Sequence, residues 1–513
     1  MHLFPTSLIS RPSCTGLLLF FLSILLPWIS PLQIAAKPTV LFSQSPAPQK
    51  PPHYRGLVVT ANNTVWLSGT RGSVLRGKFI NADIIQWDTC KTQYPRKDFR
   101  DIWALDENTA VAMSIADSAV VIKTTDGGKS WQLVYHDETP GIFLDVIEID
   151  SKTGVGMILG DPLQGHFKSL FTTDYGSIWT EIPASDWNAP LDTLSSFFAA
   201  SGTSLSIISS KANHKKQKFS LTAGFAGGGL RPQFHLVQIT YQPSKNQPAN
   251  IRPNQGPSAA INGTNNQSES PKINQKNNPK ENPLVNPKEN SVVHSTDKSM
   301  DNPPLTAPQR QASYANDAWE ITNYPTFDLR MKGGPAWGCY GLTTYQTTKA
   351  IAVGGNYAQP AFRGDSTGAI AAFTNDILGP WQASATPPHG YRSGVCVSAG
   401  INKDSLFQLF FKDKNNQCQR FSQAHGELPH TYFYQTNHKK EIPIAICTGT
   451  SGTDISFDGG NHWLPLSEER GFNACTWSCN HLILAGNLGK VQSISLRELS
   501  NLFQQLNPPS PSR

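Results

Sequence analysis

Short apolar runs recur along the chain without the three-and-four spacing of a helix. Each follows an aromatic or apolar residue and two variable ones: YRGLVV from Tyr54, FRDIWA from Phe99, FLDVIE from Phe143, LSSFFA from Leu194, CYGLTT from Cys339, YRSGVC from Tyr391 and FNACTW from Phe472. A second apolar run comes after each and ends on a small residue. That residue is Gly69, Gly160, Gly224, Gly354, Gly449 or Gly486, with Ser114 in the second copy. Each pair predicts strand, turn, strand, with the small residue where backbones crowd together near an axis. Repetition of such a unit predicts an all-β chain folded as a single β-propeller. Seven blades is the count expected, with six or eight left open because the copy from Leu194 is ragged. Closure is expected from pairing of residues near the N-terminus with the last blade, around 482–496.

A second pattern falls between these runs. TTDGGKSW at 124–131 returns as TTDYGSIW at 172–179 and SFDGGNHW at 456–463, and as a looser TNDILGPW at 374–381 with its glycine displaced by one. The first two aspartates stand 48 residues apart, a blade-sized repeat. In Thr124, Asp126, Gly128 and Trp131 the carboxylate can accept from turn N–H groups. The glycine permits positive φ, and the indole buries a flat surface on the hairpin. Thr172, Asp174, Gly176 and Trp179 repeat the set, as do Ser456, Asp458, Gly460 and Trp463; Thr374, Asp376 and Trp381 form the loose copy. A calcium loop would need converging oxygens at alternate positions, where Gly and Lys stand instead. These boxes are expected to be structural turns.

The repeat is interrupted at 243–312, a segment rich in Asn, Pro, Gln, Ser and Lys with no aromatic residue and with NPKEN twice. Such a composition buries too little surface to offset chain entropy. A disordered insertion between blades four and five is expected, leaving 54–242 for blades one to four and 313–497 for blades five to seven. A shorter insertion, roughly 401–438, splits blade six, and 498–513 reads as a flexible tail.

Composition adds little to function. Only 16% of residues are charged, and a net charge of +6 on 513 residues makes no case for nucleic acid. Residues 16–26 form an apolar run ended by Pro27, with small residues after it. That layout predicts a signal peptide over 1–36, cleaved as late as 45, and a periplasmic or extracellular protein with no membrane span afterwards. Cys14 precedes the run, so it is not a lipoprotein cysteine. Seven cysteines remain after it, an odd number, with no paired Cys-x-x-Cys framework. No metal and no cofactor are expected; no GxGxxG follows a strand.

The segments DFRDI (98–102), GDP (160–162), FAASGT (198–203), VGGNY (353–357), GYRSGV (390–395) and GTSGTDISFDGG (449–460) come in order along the chain. With the boxes, they resemble exported bacterial WD40/YVTN/BNR-like (Asp-box) propellers. That family is related to the photosystem II assembly and stability factors, and more distantly to sialidases. The resemblance implies that each box joins the two outer strands of a blade. It also implies a non-catalytic scaffold that binds a protein, or else an acidic glycan or peptide. The alternative is a sialidase-like glycoside hydrolase. The first blade carries YRGL without the Ile-Pro of an FRIP motif, and Asp101, Asp145 and Asp161 offer no obvious catalytic pair.

The residue after each leading aromatic separates these readings. Arg55, Arg100 and Arg392 hold that place in three copies and Tyr340 in another, and blades six, seven, one and two are neighbours in a closed ring. An anion site at one channel mouth is therefore expected from Arg55, Arg100, Arg392, Asp161 and Tyr340. The structural alternative pairs each arginine with a nearby aspartate such as Asp98 or Asp101.

Overall fold

Antiparallel sheets follow one another along the chain, each a meander of strands consecutive in sequence. The computed structural model describes residues 41–42 and 50–506 apart from 82–83, 116–117, 187–194, 199, 244–317, 363–369, 399–400, 403–440 and 479–480. The expected leader lies outside the described residues, as do nearly all of both insertions.

The first strands of the units are Tyr54–Val59, Phe99–Ala104, Leu144–Ile149, Leu205–Asn213, Trp337–Tyr345, Gly394–Val397 and Phe472–Ser478. Each packs against the next, and the last packs against the first, so they form a closed inner ring. The chain is a β-propeller. The fourth and fifth units join through one bridge, Gly228 opposite Gly338, where two glycine backbones meet and a side chain on either would collide with the other. Apolar clusters fill the spaces between neighbouring sheets. Val146, Met157 and Phe171 of the third unit meet Leu221, Phe225 and Val237 of the fourth. Ile446 and Leu466 of the sixth meet Leu482 and Leu484 of the seventh.

The recurring glycine of the second strand has a local cause. Registers slip by one residue between Tyr54 and Gly56, Phe99 and Asp101, Leu144 and Val146, Cys339 and Gly341, and Phe472 and Ala474. One residue of each inner strand therefore bulges out just after the strand begins. The bulge presses the start of the strand onto the second strand. A Cβ on Gly69, Gly160, Gly354, Gly449 or Gly486 would run into the backbone at or just ahead of its own unit's first strand. Ser114 is tolerated in the second unit, where its hydroxyl accepts from Val120 N–H.

Four expectations change. The fourth inner strand begins at Leu205, not in the LSSFFA run; Ser195–Ser196 pairs only briefly with Gly228–Gly229. The long insertion does not separate units four and five. Gln242 stands opposite Ala318 in register, so the insertion joins the third and fourth strands of unit four. The stretch after 497 is not a tail throughout: Leu496–Leu506 is a helix that buries Leu499 and Phe503 against Phe457 and Leu466 of unit six. No N-terminal strand completes the last sheet among the described residues. Leu41–Phe42 runs parallel to Ile85–Cys90 in unit one, and the seventh sheet has three strands. The ring closes through packing of Ile483 and Ala485 on Tyr54, Val65 and Leu67. Hydrogen bonds reinforce the seam: Asn473 Nδ2 donates to Tyr54 O at 2.9 Å, and Gly489 N to Pro52 O at 2.7 Å.

Candidate binding face and central cavity

The box residues lie at the outer rim, between the third and fourth strands of units two, three, five and six. In the strict copies the first hydroxyl is the hub. Thr124 Oγ1 donates to Asp126 Oδ1 at 2.8 Å and accepts from Gly128 N at 2.9 Å. Thr172 with Asp174 and Gly176 matches this at 2.9 and 3.0 Å, as does Ser456 with Asp458 and Gly460. The carboxylate then accepts from the N–H four residues on, at Ser130, Ile178 and His462. Two consecutive residues take positive φ in each turn: Gly127 and Gly128, Tyr175 and Gly176, Gly459 and Gly460. The loose copy differs in kind. Thr374 Oγ1 donates to backbone carbonyls of Asp376 and Pro380, and no positive-φ pair occurs. Hydrogen bonds from Ser130, outweighing a small burial effect, hold the Asp126 carboxyl down at about 2. Trp131, Trp179, Trp381 and Trp463 are all buried.

The inner strands begin at one mouth of the ring. Registers identify the bulged residues there as Arg55, Arg100, Asp145, Tyr340 and Asn473. The sequence frame was one residue out in two copies. In unit three Leu144, not Phe143, stands where Tyr54 does, so Asp145 takes the place of the arginines. In unit six Arg392 itself stands at the place of Tyr54, against Gly449, and Ser393 takes the next position. Arg392 is therefore a core residue, 1% exposed, and does not join Arg55 and Arg100 at the mouth. Its Nε donates to Asp454 Oδ2 at 2.6 Å and its Nη1 to Ser451 Oγ at 2.6 Å; His389 Nδ1 lies 2.6 Å from Asp454 Oδ1. Burial raises the Asp454 carboxyl, but the Arg392 charge and the His389 bond outweigh it and hold it low. Arg100 Nε donates to Asp98 at 2.7 Å, the local pairing weighed from the sequence. Asp161 accepts from Phe197 N at 2.8 Å, and burial pushes its carboxyl up to about 6.

Tyr340 is the centre of an aromatic cluster at this mouth. It stacks on Phe198 at 4.2 Å and meets Tyr391 edge-on at 4.9 Å, with Tyr357 at 6.2 Å. Beside it Trp337 meets Phe362 edge-on, and Lys332 Nζ sits 4.6 Å over the Trp337 ring. Phe198, Trp337, Tyr357 and Phe362 are partly exposed, and nearby Leu230 is 62% exposed. Sequence reasoning found Tyr340 alone; its neighbours come from three different units and share no spacing.

The middle of the ring is crossed by Ala200–Ser204. Gly202 abuts the Asp101 carboxylate of unit two, Ser201 Oγ donates to Ser393 O of unit six at 2.6 Å, and Thr203 O accepts from Leu342 N of unit five at 2.6 Å. On the far side of this plug lies a cavity of about 760 Å³, walled by the inner strands of all the units. Among the described residues its acidic lining residues are Asp101, Glu148 and Asp150, and no Lys, Arg or His lines it. Asp101 accepts from Ile102 N and Ile147 N, both at 2.8 Å; burial nevertheless raises it to about 7. Burial, then the nearby Asp101 and Asp150 charges, raise Glu148 to about 8. Among the described residues no group of three or more His, Cys, Asp or Glu could hold a metal ion. No helix among them is long and apolar enough to cross a membrane.

No family model and no curated protein matches the chain. Among solved structures, it is similar to YCF48 bound to D1 peptide, at 9% identity and TM-score 0.36 over 86% of this chain and 92% of that one. It is also similar to YCF48 from Cyanidioschyzon merolae, at 11% identity and TM-score 0.36 over 88% and 98%. Raptor of Chaetomium thermophilum gives 8% identity and TM-score 0.37 over 89% of this chain and 29% of that one. These are distant likenesses, and the reading of the site rests on this chain's own residues.

Proposed function

We propose that the chain is a non-catalytic recognition propeller that docks a polypeptide segment on the face where its inner strands begin. The observation that carries this is the partly exposed aromatic cluster around Tyr340, extended by Trp337 and Phe362 under Lys332. Rigid aromatic rings that offer large area at low entropic cost are the usual anchors of protein interfaces. Lys332 at the cluster, with Arg55 and Arg100 at the starts of other inner strands, favours a segment bearing a carboxylate, such as an acidic stretch or a chain terminus. Of the acids suggested for hydrolysis, Asp101 is engaged by two backbone N–H groups and Asp161 by one. Export to the periplasm or medium is part of this proposal.

The test is capture of partners from a periplasmic or secreted fraction, followed by titration of acidic peptides derived from them. Trp337→Ala should weaken binding roughly thirtyfold, the measure of an interface anchor. Arg100→Ala should weaken it by less, and more at low salt than at high salt. Unchanged affinity in Trp337→Ala defeats the proposal. So does release of product from sialosides or other acidic glycans, which would bring back the hydrolase alternative.

A further inference from the structure

Five cysteines fall among the described residues, and none is in a disulfide. Two of them, Cys396 of unit six and Cys475 of unit seven, line the wall of the central cavity. They sit on neighbouring inner strands that run very close together. Ser393 Oγ donates to Asn473 O at 2.7 Å, and a Cβ on Gly394 would lie 3.2 Å from Ala474 Cα and 3.4 Å from Cys475 N. Cys475 Sγ reaches Ile446 O at 3.7 Å, the residue opposite Cys396 in its own sheet, and burial, then the neighbouring Cys396 thiol, raises the Cys475 thiol well above its usual value. Both side chains belong to the apolar layer between units six and seven. Among the described residues Cys447 is the nearest rival partner, but it pairs with Val395 and so points to the other face of the sheet, into the layer between units five and six. Cys90 and Cys339 lie in other units.

We propose that Cys396 and Cys475 form an oxidisable dithiol, a modification site in the cavity wall that closes to a disulfide between adjacent inner strands. Cys396 is the entry point because it is the partly exposed member of the pair, while Cys475 is buried. Its thiolate attacks one sulfur of an external disulfide, such as oxidised glutathione or a disulfide-bearing oxidoreductase, and releases the first thiol. Cys475 then attacks the Cys396 sulfur of the mixed disulfide and displaces the second. Each cysteine gives up one proton to a departing thiolate. The two electrons lost by the pair reduce the oxidant's disulfide to two thiols.

The staple would lie one unit away from the seam between units seven and one, where no interlocking strand stands among the described residues. The experiment uses the full chain, reduced, desalted and incubated with oxidised glutathione under native conditions. Free thiols are then blocked, and the protein is digested and mapped by mass spectrometry. The expected result is a joined pair of peptides, one spanning Cys396 and the other Cys475, lighter by two hydrogens than their sum. The pair should separate on reduction and be absent from Cys396→Ser. In Cys447→Ser it should form as in the parent. The parent needs no substitution to give the answer, so a variant that fails to fold does not obscure it. Retention of both thiols after oxidation, or joining of either one to a different cysteine, overturns the proposal.

Discussion

A hydroxyl and a carboxylate two residues apart hold each outer turn, and their geometry ranks the turns. In the strict copies the aspartate collects the hydroxyl and at least one N–H, whereas Asp376 accepts only from Leu378 N. Asp458→Ala and Asp126→Ala should each lower stability to urea by about 1–2 kcal/mol, as loss of a capping carboxylate does. Asp376→Ala should cost clearly less, and equal losses in all three would refute this ranking. Arg392 poses a sharper case. Arg392→Met leaves the buried Asp454 carboxylate short of its counter-charge and should cost about 3–5 kcal/mol. Adding Asp454→Leu should recover most of that loss, because an apolar pair can fill the same space. An Arg392→Met variant as stable as the parent would show that the pair is not needed.

The strands and the turns between them were legible because both rest on local chemistry. Apolar runs, small residues and box spacing are short-range signals, and they located six of the inner strands correctly. What was hidden depends on pairing. In units three and six the frame is offset by one residue, and only the partner strand reveals it, so the pattern leaves Asp145 out of the mouth set and puts Arg392 into it. The fourth inner strand is misplaced by the pattern because the LSSFFA run, which looks like a strand start, leads into the plug, and the strand begins only at Leu205. The helix Leu496–Leu506 carries Leu496, Leu499, Leu502, Phe503 and Leu506 at helical spacing, a signal legible in the sequence that the polar, proline-rich end beyond it masked; its worth lies in burying Leu499 and Phe503. Truncation after Ser495 should therefore lower the midpoint of thermal unfolding, and an unchanged midpoint would make the helix an ornament. The insertion behaves oppositely. Since Gln242 and Ala318 face each other in register, replacing 244–317 with a two-residue turn should leave the circular dichroism and the unfolding midpoint nearly unchanged. Unfolding of that variant would mean that the segment contributes to the fold.

Across the whole molecule, two groups of carboxyls pull stability in opposite directions with pH. Asp126 and Asp454 are held below their usual range, as is Asp137, where bonds from Thr139 and Lys168 overcome burial. Their contribution is present above the unfolded pKa and is lost as pH falls through the folded values. Asp161, Asp101 and Glu148 are raised to about 6, 7 and 8. Their contribution is complete below the unfolded pKa and is lost as pH rises through those values. Stability should therefore be greatest at about pH 4, the unfolded carboxylate value, where the first contribution is nearly complete and the second has hardly begun to fall. Glu148→Gln cannot ionise, so it should gain on the parent by roughly 1–3 kcal/mol between pH 5 and 9, read from urea midpoints. A constant difference across that range would place the Glu148 titration outside the cavity's influence.

The segment Ala200–Ser204 also changes what kind of object the ring is. A hollow propeller is a tube, and whatever enters one end can contend for space with whatever enters the other. With a strap anchored to units two, five and six across its middle, this one is a two-sided disc. The aromatic face and the acidic cavity become separate rooms that share a wall. Occupants of each would not compete for volume, and any influence between them must pass as strain through that strap.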